Sequence, residues 1–368
     1  MADTTSYTKC NSRRNASKKH NFSPDAAASG VFFFNCKDIY KCERIWYNKC
    51  KIMKERKYIM EILYFFESIR NGVLDAFFSL ITLGGEETVF MALGMIFFWC
   101  VNKYQGYYLL SVGFAGTILN QFLKMLFRVP RPWIKDPSFT IVESARDAAT
   151  GYSFPSGHTQ TSVGLFGGIA LTTKQKWLRA IGIALTILVP VSRLYLGVHT
   201  PADVLVSTAI ALILIFAFLP LFKKAENSPA VMYAIFAVFT LVIVAFICFV
   251  FLYDFPADVY TEGLHNLESA RKNGFTLLGC VLGLTVVYTV DRKWINFGTK
   301  AVWWAQIIKV AGGLGLVLAV KSLLKSPLES LVGNEFAARS VRYFLMVIVA
   351  GMLWPLTFKF FSRLGSKK

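Results

Sequence analysis

From about residue 86 to the C-terminus the chain repeats one pattern, an apolar run long enough to span a bilayer followed by a short polar break. The runs fall at about 86–101, 107–127, 158–173, 180–198, 201–221, 231–253, 274–290, 301–324 and 340–361. Inside lipid only a helix satisfies its own backbone, and about 20 apolar residues carry it across. The pattern predicts an all-α protein, a polytopic bundle of transmembrane helices. Two runs, 158–173 and 301–324, are the most polar of the set. Residues 60–84 read differently. Phe65, Phe66, Ile69, Val73, Leu74, Phe77 and Phe78 recur at helical spacing, but Glu67, Arg70 and Asp75 interrupt them. That one-sided stripe predicts an amphipathic helix lying in the membrane interface.

Residues 1–59 do not share the pattern. They are polar and carry 13 Lys and Arg, with one apolar patch, Val31 to Phe34, too short to span or to serve as a signal core. Two readings stand side by side. One is a disordered basic tail. The other is an untranslated leader: Lys54-Glu55-Arg56-Lys57 can be encoded by purines alone, Tyr58-Ile59 makes a spacer, and Met60 follows. That is how a ribosome-binding site ahead of a start codon looks when read through in frame.

Composition narrows the class. With 55% hydrophobic and only 17% charged residues, the chain has more apolar surface than a soluble domain can bury. A net charge of +18 raises nucleic acid as a partner, but the basic residues are dispersed among the breaks rather than gathered on one face. Membrane topology accounts for them, and no nucleic-acid partner is expected. The breaks holding Lys103, then Lys174, Lys176 and Arg179, then Lys223 and Lys224, then Arg292, Lys293 and Lys300 all fall on one side. The positive-inside rule makes that side cytoplasmic and turns the 128–157, 254–272 and 325–339 loops outward. The same count puts the N-terminus outside, where a heavily basic tail translocates poorly, which favours a start near Met60. The seven cysteines show no framework or metal-ligand spacing and read as apolar filler.

Three short pieces carry the chemistry, all at the outer ends of apolar runs, where charge is costly unless it serves something. The first holds Lys124, Arg128 and Arg131 at i, i+4 and i+7, which predicts one helical face, with Pro132 stopping the helix. Taken alone, such cations are ordinary snorkelling residues; together, an Arg fork and a Lys suit a phosphoryl group. The second is Pro155-Ser156-Gly157-His158, where Ser156 and Gly157 would present backbone N–H groups at a helix start. The third is Ser192-Arg193, then five residues, His199, and Asp203 four further on. Thr200-Pro201-Ala202-Asp203 matches a capping box, so Asp203 has a purely structural reading. In the functional one it accepts from His199 Nδ1–H, fixes the tautomer and leaves Nε2 free to attack.

Jointly, K-x6-R-P, P-S-G-H and S-R-x5-H-x3-D are complete here and resemble the three-part signature of the type 2 phosphatidic acid phosphatase family, which shares its site with vanadium haloperoxidases. The resemblance covers roughly residues 60–222. It implies His199 as phosphoryl acceptor, His158 as the acid protonating the leaving group, and Asp203 as orienter. Lys124, Arg131, Ser156, Gly157 and Arg193 would then bind the phosphate, with no metal or other cofactor. The chain departs from the usual six-span core: the amphipathic 60–84 segment stands in for the first span, and about three extra spans follow residue 270. The expected organisation is therefore a 1–59 tail, a 60–228 phosphatase core and a 229–368 set of additional helices. Lys309, Lys321, Glu335 and Arg342 in that last part suit either a second lipid-contact or channel-like module, or interhelical pairing and snorkelling.

The function expected is metal-independent hydrolysis of a lipid phosphate or diphosphate at the outer face of a bacterial cytoplasmic membrane, through a phosphohistidine. Outward orientation favours undecaprenyl diphosphate over phosphatidic acid or phosphatidylglycerol phosphate. The bilayer and the lipid phosphate are the expected partners. A phosphotransferase, a transporter retaining the motif and a membrane-bound haloperoxidase are the alternatives. Head-group choice is expected of loop 133–154, with Trp133, Glu143 and Arg146, and of the lateral opening between spans.

Overall fold

The computed structural model describes residues 56–149, 151–255 and 263–364. Both readings of the 1–59 segment fall outside the described residues but for the start of the first helix, and Asp258 and Glu262 of the acidic outer loop lie outside as well. Every regular element among the described residues is helical. Among the described residues seven helices are long and apolar enough to cross a membrane. The chain is an all-α, polytopic membrane protein.

In chain order the elements are α1 (Arg56–Ser68), α2 (Gly72–Thr82), α3 (Glu87–Ile96), α4 (Lys103–Phe127), α5 (Gly157–Ser162) and α6 (Gly168–Thr172). There follow α7 (Lys176–Tyr195), α8 (Pro201–Ala225), α9 (Pro229–Leu252), α10 (Gly263–Val290), α11 (Trp303–Leu323), α12 (Lys325–Val332) and α13 (Glu335–Ile348). Helix starts obey local chemistry. Asn71 caps Leu74 N, Asn102 caps Tyr104 N and Gln105 N, and Thr200 with Asp203 forms a complete capping box.

The stretch read as one interfacial helix is two, α1 and α2, broken at residues 69–71. α2 and α3 meet at a 56° bend and together pass as a broken span or a re-entrant loop. Of the two polar runs, 301–324 forms the full span α11. The 158–173 run becomes α5 and α6 joined by a wide turn at Val163–Gly167, shorter than its neighbours.

The helices after residue 229 are not a separate body. Phe90, Trp99 and Tyr107 share one buried core with Val281, Leu284 and Val347. Trp99 Nε1 donates to Ala350 O at 2.9 Å, and Lys103 Nζ pairs with buried Asp291 at 2.7 Å. Lipid supplies no hydrophobic drive between helices, so close backbone approach must do the packing. α10 and α13 achieve it through Gly279 and Gly283, where a Cβ would fall 2.1 Å from Ser340 O and 2.8 Å from Val347 Cβ. Of the four charges singled out here, Glu335 pairs with Lys272, and Lys309 is buried, donating to Thr299 O at 3.1 Å beneath the Phe358 ring. For these two the interhelical reading is the one realised.

Candidate active site

α4 delivers Lys124 one turn before its end, and the chain then turns sharply. Arg128 takes a left-handed conformation, φ 49°, so Lys124, Arg128 and Arg131 do not share the helical face their spacing predicted. Pro130 is the reason: it disfavours helix at Val129 and ends the run four residues earlier than expected. Pro132 opens a single new turn instead of stopping one. The reversal carries Arg131 into the interior, 3% exposed.

There Arg131 meets the third piece. Its Nε donates to Gly151 O at 2.9 Å, and its Nη1 lies 2.9 Å from both Val198 O and His199 Nε2. A guanidinium has no acceptor, so Nε2 must accept and the proton of a neutral His199 must sit on Nδ1. Burial, and next the Arg131 charge, hold this imidazole well below its ordinary value, with Asp203 opposing. Asp203 faces the ring across 3.4 Å, Oδ2 to Nδ1. That is longer than a well-formed hydrogen bond, and Nδ1 makes none. The expected acceptor is thus in position without the bond being closed, a length common in catalytic pairs before substrate arrives. Oδ2 also accepts from Ser153 Oγ at 2.5 Å and Thr200 N at 2.8 Å, so the capping and facing arrangements coexist.

The second piece stands opposite. Ser156 caps α5 through its Oγ, while its backbone N–H is already taken by Asp203 O at 3.3 Å. Of the two free amides expected there only the Gly157 N–H remains, beside the Ser156 hydroxyl. His158 Nε2 lies 3.2 Å from Glu86 Oε1, at the α2–α3 bend. A Cβ at Gly85 would fall 2.7 Å from His158 Cβ, so this bend can approach the histidine only through glycine. Lys124 Nζ donates to Tyr152 O at 2.8 Å. Arg193 is fully buried near the end of α7; Nη1 donates to Thr82 Oγ1 at 2.6 Å, while Nε and Nη2 have no partner.

A cavity of about 380 Å³ joins these groups. His158, Gly157, Lys124, Arg131 and His199 line it; Ser156, Arg193 and Asp203 stand behind its wall. Sequence reasoning missed Glu86 and Thr82, whose only signal was a polar break beside Gly84-Gly85 within an apolar stretch. It also missed Asn273 of α10 and Arg339 of α13, which line the same cavity. The loop residues Trp133, Glu143 and Arg146 do not line the cavity; Arg146 pairs with Glu143 at 2.7 Å and lies over the Trp133 ring. Among the described residues no three His, Cys, Asp or Glu side chains gather as a metal cluster would require.

Residues 104–227 match the PAP2 superfamily, and residues 275–367 match the transmembrane extension of PAP2 superfamily phosphatases. Undecaprenyl-diphosphatase BcrC of Bacillus subtilis is 32% identical over 158 residues, 41% of this chain and 76% of that protein. The chain belongs to the PAP2 superfamily. It is a membrane phosphatase of that superfamily, carrying both the core and the extension. A probable sphingosine-1-phosphate phosphatase of Dictyostelium discoideum is 30% identical over 45% of this chain and 43% of its own length. Phosphatidylglycerophosphatase B of Bacillus subtilis is 31% identical over 35% of this chain and 62% of its own length. The chain spans about half the length of its eukaryotic relatives, 43% and 55% for two of them. The crystal structure of Aquifex aeolicus LpxE aligns with 27% identity over 44% of this chain and 95% of its own, at a TM-score of 0.39.

Proposed function

We propose that this PAP2 phosphatase hydrolyses lipid phosphates or diphosphates without a metal, through a phosphohistidine at His199, and that undecaprenyl diphosphate is its preferred substrate. The observation that carries the reading is the 2.9 Å approach of Arg131 Nη1 to His199 Nε2, which requires a neutral ring with its lone pair on the attacking nitrogen. Nε2 attacks phosphorus in line as the bond to the leaving oxygen breaks. His158, whose Nε2 lies 3.2 Å from Glu86 Oε1, supplies that oxygen's proton. Water, giving its proton back to His158, then cleaves the P–N bond and releases phosphate. Lys124, Arg131, Arg193, the Ser156 hydroxyl and the Gly157 N–H hold the equatorial oxygens, and Asp203 stabilises the charged His199 ring. Two relatives named undecaprenyl-diphosphatase support the lipid chosen. The distribution of basic loops supports a site facing outward from a bacterial cytoplasmic membrane.

The test is phosphate release by the full chain in detergent with EDTA, on undecaprenyl diphosphate, phosphatidic acid and phosphatidylglycerol phosphate. Release unchanged by chelator, with the diphosphate favoured at least about tenfold in kcat/KM, is the expected result (1.4 kcal/mol of transition-state preference). Loss of activity on chelation, or preference for a monophosphate, overturns the corresponding half of the reading.

The site also fixes a pH dependence. Because His199 titrates below its ordinary value, the free enzyme keeps its nucleophile unprotonated into mildly acidic solution. The acidic limb of kcat/KM assigned to His199 is expected below the ordinary imidazole value of about 6.5. The sign for stability follows: between the depressed value and about 6.5 the unfolded chain binds more protons, so stability is lost as pH falls through that window. A pH–rate profile beside a thermal midpoint series checks both.

A further inference from the structure

The cavity is larger than one phosphoryl group needs. At about 380 Å³ it has room for roughly a dozen waters at ~30 Å³ each, and the groups around His199 supply only part of its lining. Another part comes from the transmembrane extension and the helix that leads into it. Asn266, Ser269 and Asn273 lie at i, i+3 and i+7 on α10, a polar stripe lining the cavity, and Arg339 of α13 completes it. This wall is held in place. Lys272 bridges Glu268 at 2.7 Å on its own helix and Glu335 at 2.9 Å on α13, so its charge is compensated and it ties the two helices together. Arg339 is different. Its Nε donates to Thr276 Oγ1 at 2.7 Å and its guanidinium lies over the Tyr343 ring, but among the described residues Nη1 and Nη2 have no hydrogen-bond partner. Glu86 and Glu87 are the carboxylates among the described residues lining the cavity, and Glu86 is engaged by His158.

We infer that Arg339, with Asn273 beside it, forms a second anion subsite that binds the leaving phosphate of a diphosphate substrate. The inference rests on the phosphohydrolase reading above and names which end of the substrate each wall takes. The terminal phosphorus sits at His199. The bond that breaks joins it to the bridging oxygen, which keeps the electron pair and takes the His158 proton. What departs is a lipid monophosphate, an anion suited to a planar guanidinium fork. A phosphomonoester leaves as a neutral alcohol and gives Arg339 nothing to bind. The extension thereby becomes the part of the chain that separates diphosphates from monophosphates.

The experiment uses the full chain in detergent with farnesyl diphosphate and farnesyl monophosphate, which share one tail. R339Q is expected to lower kcat/KM for the diphosphate by at least about tenfold (1.4 kcal/mol) and to move the monophosphate less than about twofold. R339K is expected to recover part of the loss. Asn273→Ala is expected to cost the diphosphate about threefold, the weight of one neutral hydrogen bond, and serves if R339Q does not fold. Equal losses on both substrates, or no loss on either in folded protein, overturn the subsite. Protection against thermal unfolding gives a second readout that needs no turnover. Pyrophosphate should protect the wild type at lower concentration than orthophosphate, and R339Q should erase that difference. Wild-type protein that hydrolyses neither substrate but keeps the pyrophosphate preference would sink the phosphatase reading and leave the subsite standing; hydrolysis without that preference would do the reverse.

Discussion

Replacing His199 with alanine is expected to reduce phosphate release by at least about 10⁴-fold, the scale on which enzymes lose activity when a nucleophile is removed. The size follows from what the residue supplies. Of the two cavity histidines, His158 turns its Nε2 to Glu86, whereas His199 turns its Nε2 to the Arg131 guanidinium. Water attacking directly would still feel Lys124 and Arg131, so a small residual rate is expected from electrostatic clamping alone. Denaturing alkaline quenching with labelled substrate separates the nucleophile from a mere binding role. Wild-type protein should carry label in an acid-labile, base-stable form, and His199→Ala none. His158→Gln should behave differently. It slows departure of the leaving group more for a monophosphate than for a diphosphate, because a lipid phosphate is the better leaving group and needs the proton less. Equal loss on the two substrates would remove His158 from that role.

Much of this arrangement was legible in the residues, for physical reasons. Apolar run length predicts spans because lipid leaves a backbone few other options, and five of the expected site residues, Lys124, Arg131, Gly157, His158 and His199, line one cavity, with Asp203 beside His199. The motif spacing did not reveal how Lys124 and Arg131 converge. A periodicity argument assumes the helix continues, whereas Pro130 ended it and Arg128 reversed the chain. Asp203 illustrates a different limit. A capping box and a catalytic carboxylate demand the same residue at the same spacing, and only coordinates show one oxygen close to Ser153, Thr200 and His199 together. Glu86 and Arg339 were hidden because contact with the site depends on tertiary packing, on Gly85 meeting His158 and on Gly279 meeting Ser340. Their local sequence reads only as charge at a helix end. Loop 133–154, of which head-group choice was expected, does reach the cavity, through Ala148, Gly151 and Tyr152 rather than through Trp133, Glu143 and Arg146.

Arg193→Met is expected to lower kcat by about 10²–10³-fold, the usual cost of one oxyanion donor, while raising the thermal midpoint. Opposite signs follow from one observation. Arg193 is fully buried, and among the described residues it makes a single hydrogen bond, Nη1 to Thr82 Oγ1, with no partner for Nε and Nη2. A buried charge without a paired carboxylate costs several kcal/mol that its one neutral partner does not return, and well-packed apolar replacements at such positions often gain about 1–4 kcal/mol. Methionine fills most of the same space and leaves Thr82 free to turn to a neighbouring carbonyl. The arginine is kept, on this argument, for an anion that arrives only with substrate. Orthovanadate, which adopts the geometry of a phosphoryl group in transfer, gives the check. It should raise the midpoint of the wild type and leave Arg193→Met unmoved, so that the two proteins converge in stability as vanadate is added. A variant that loses both activity and stability would instead make Arg193 a structural residue, and the phosphate cradle would rest on Lys124 and Arg131.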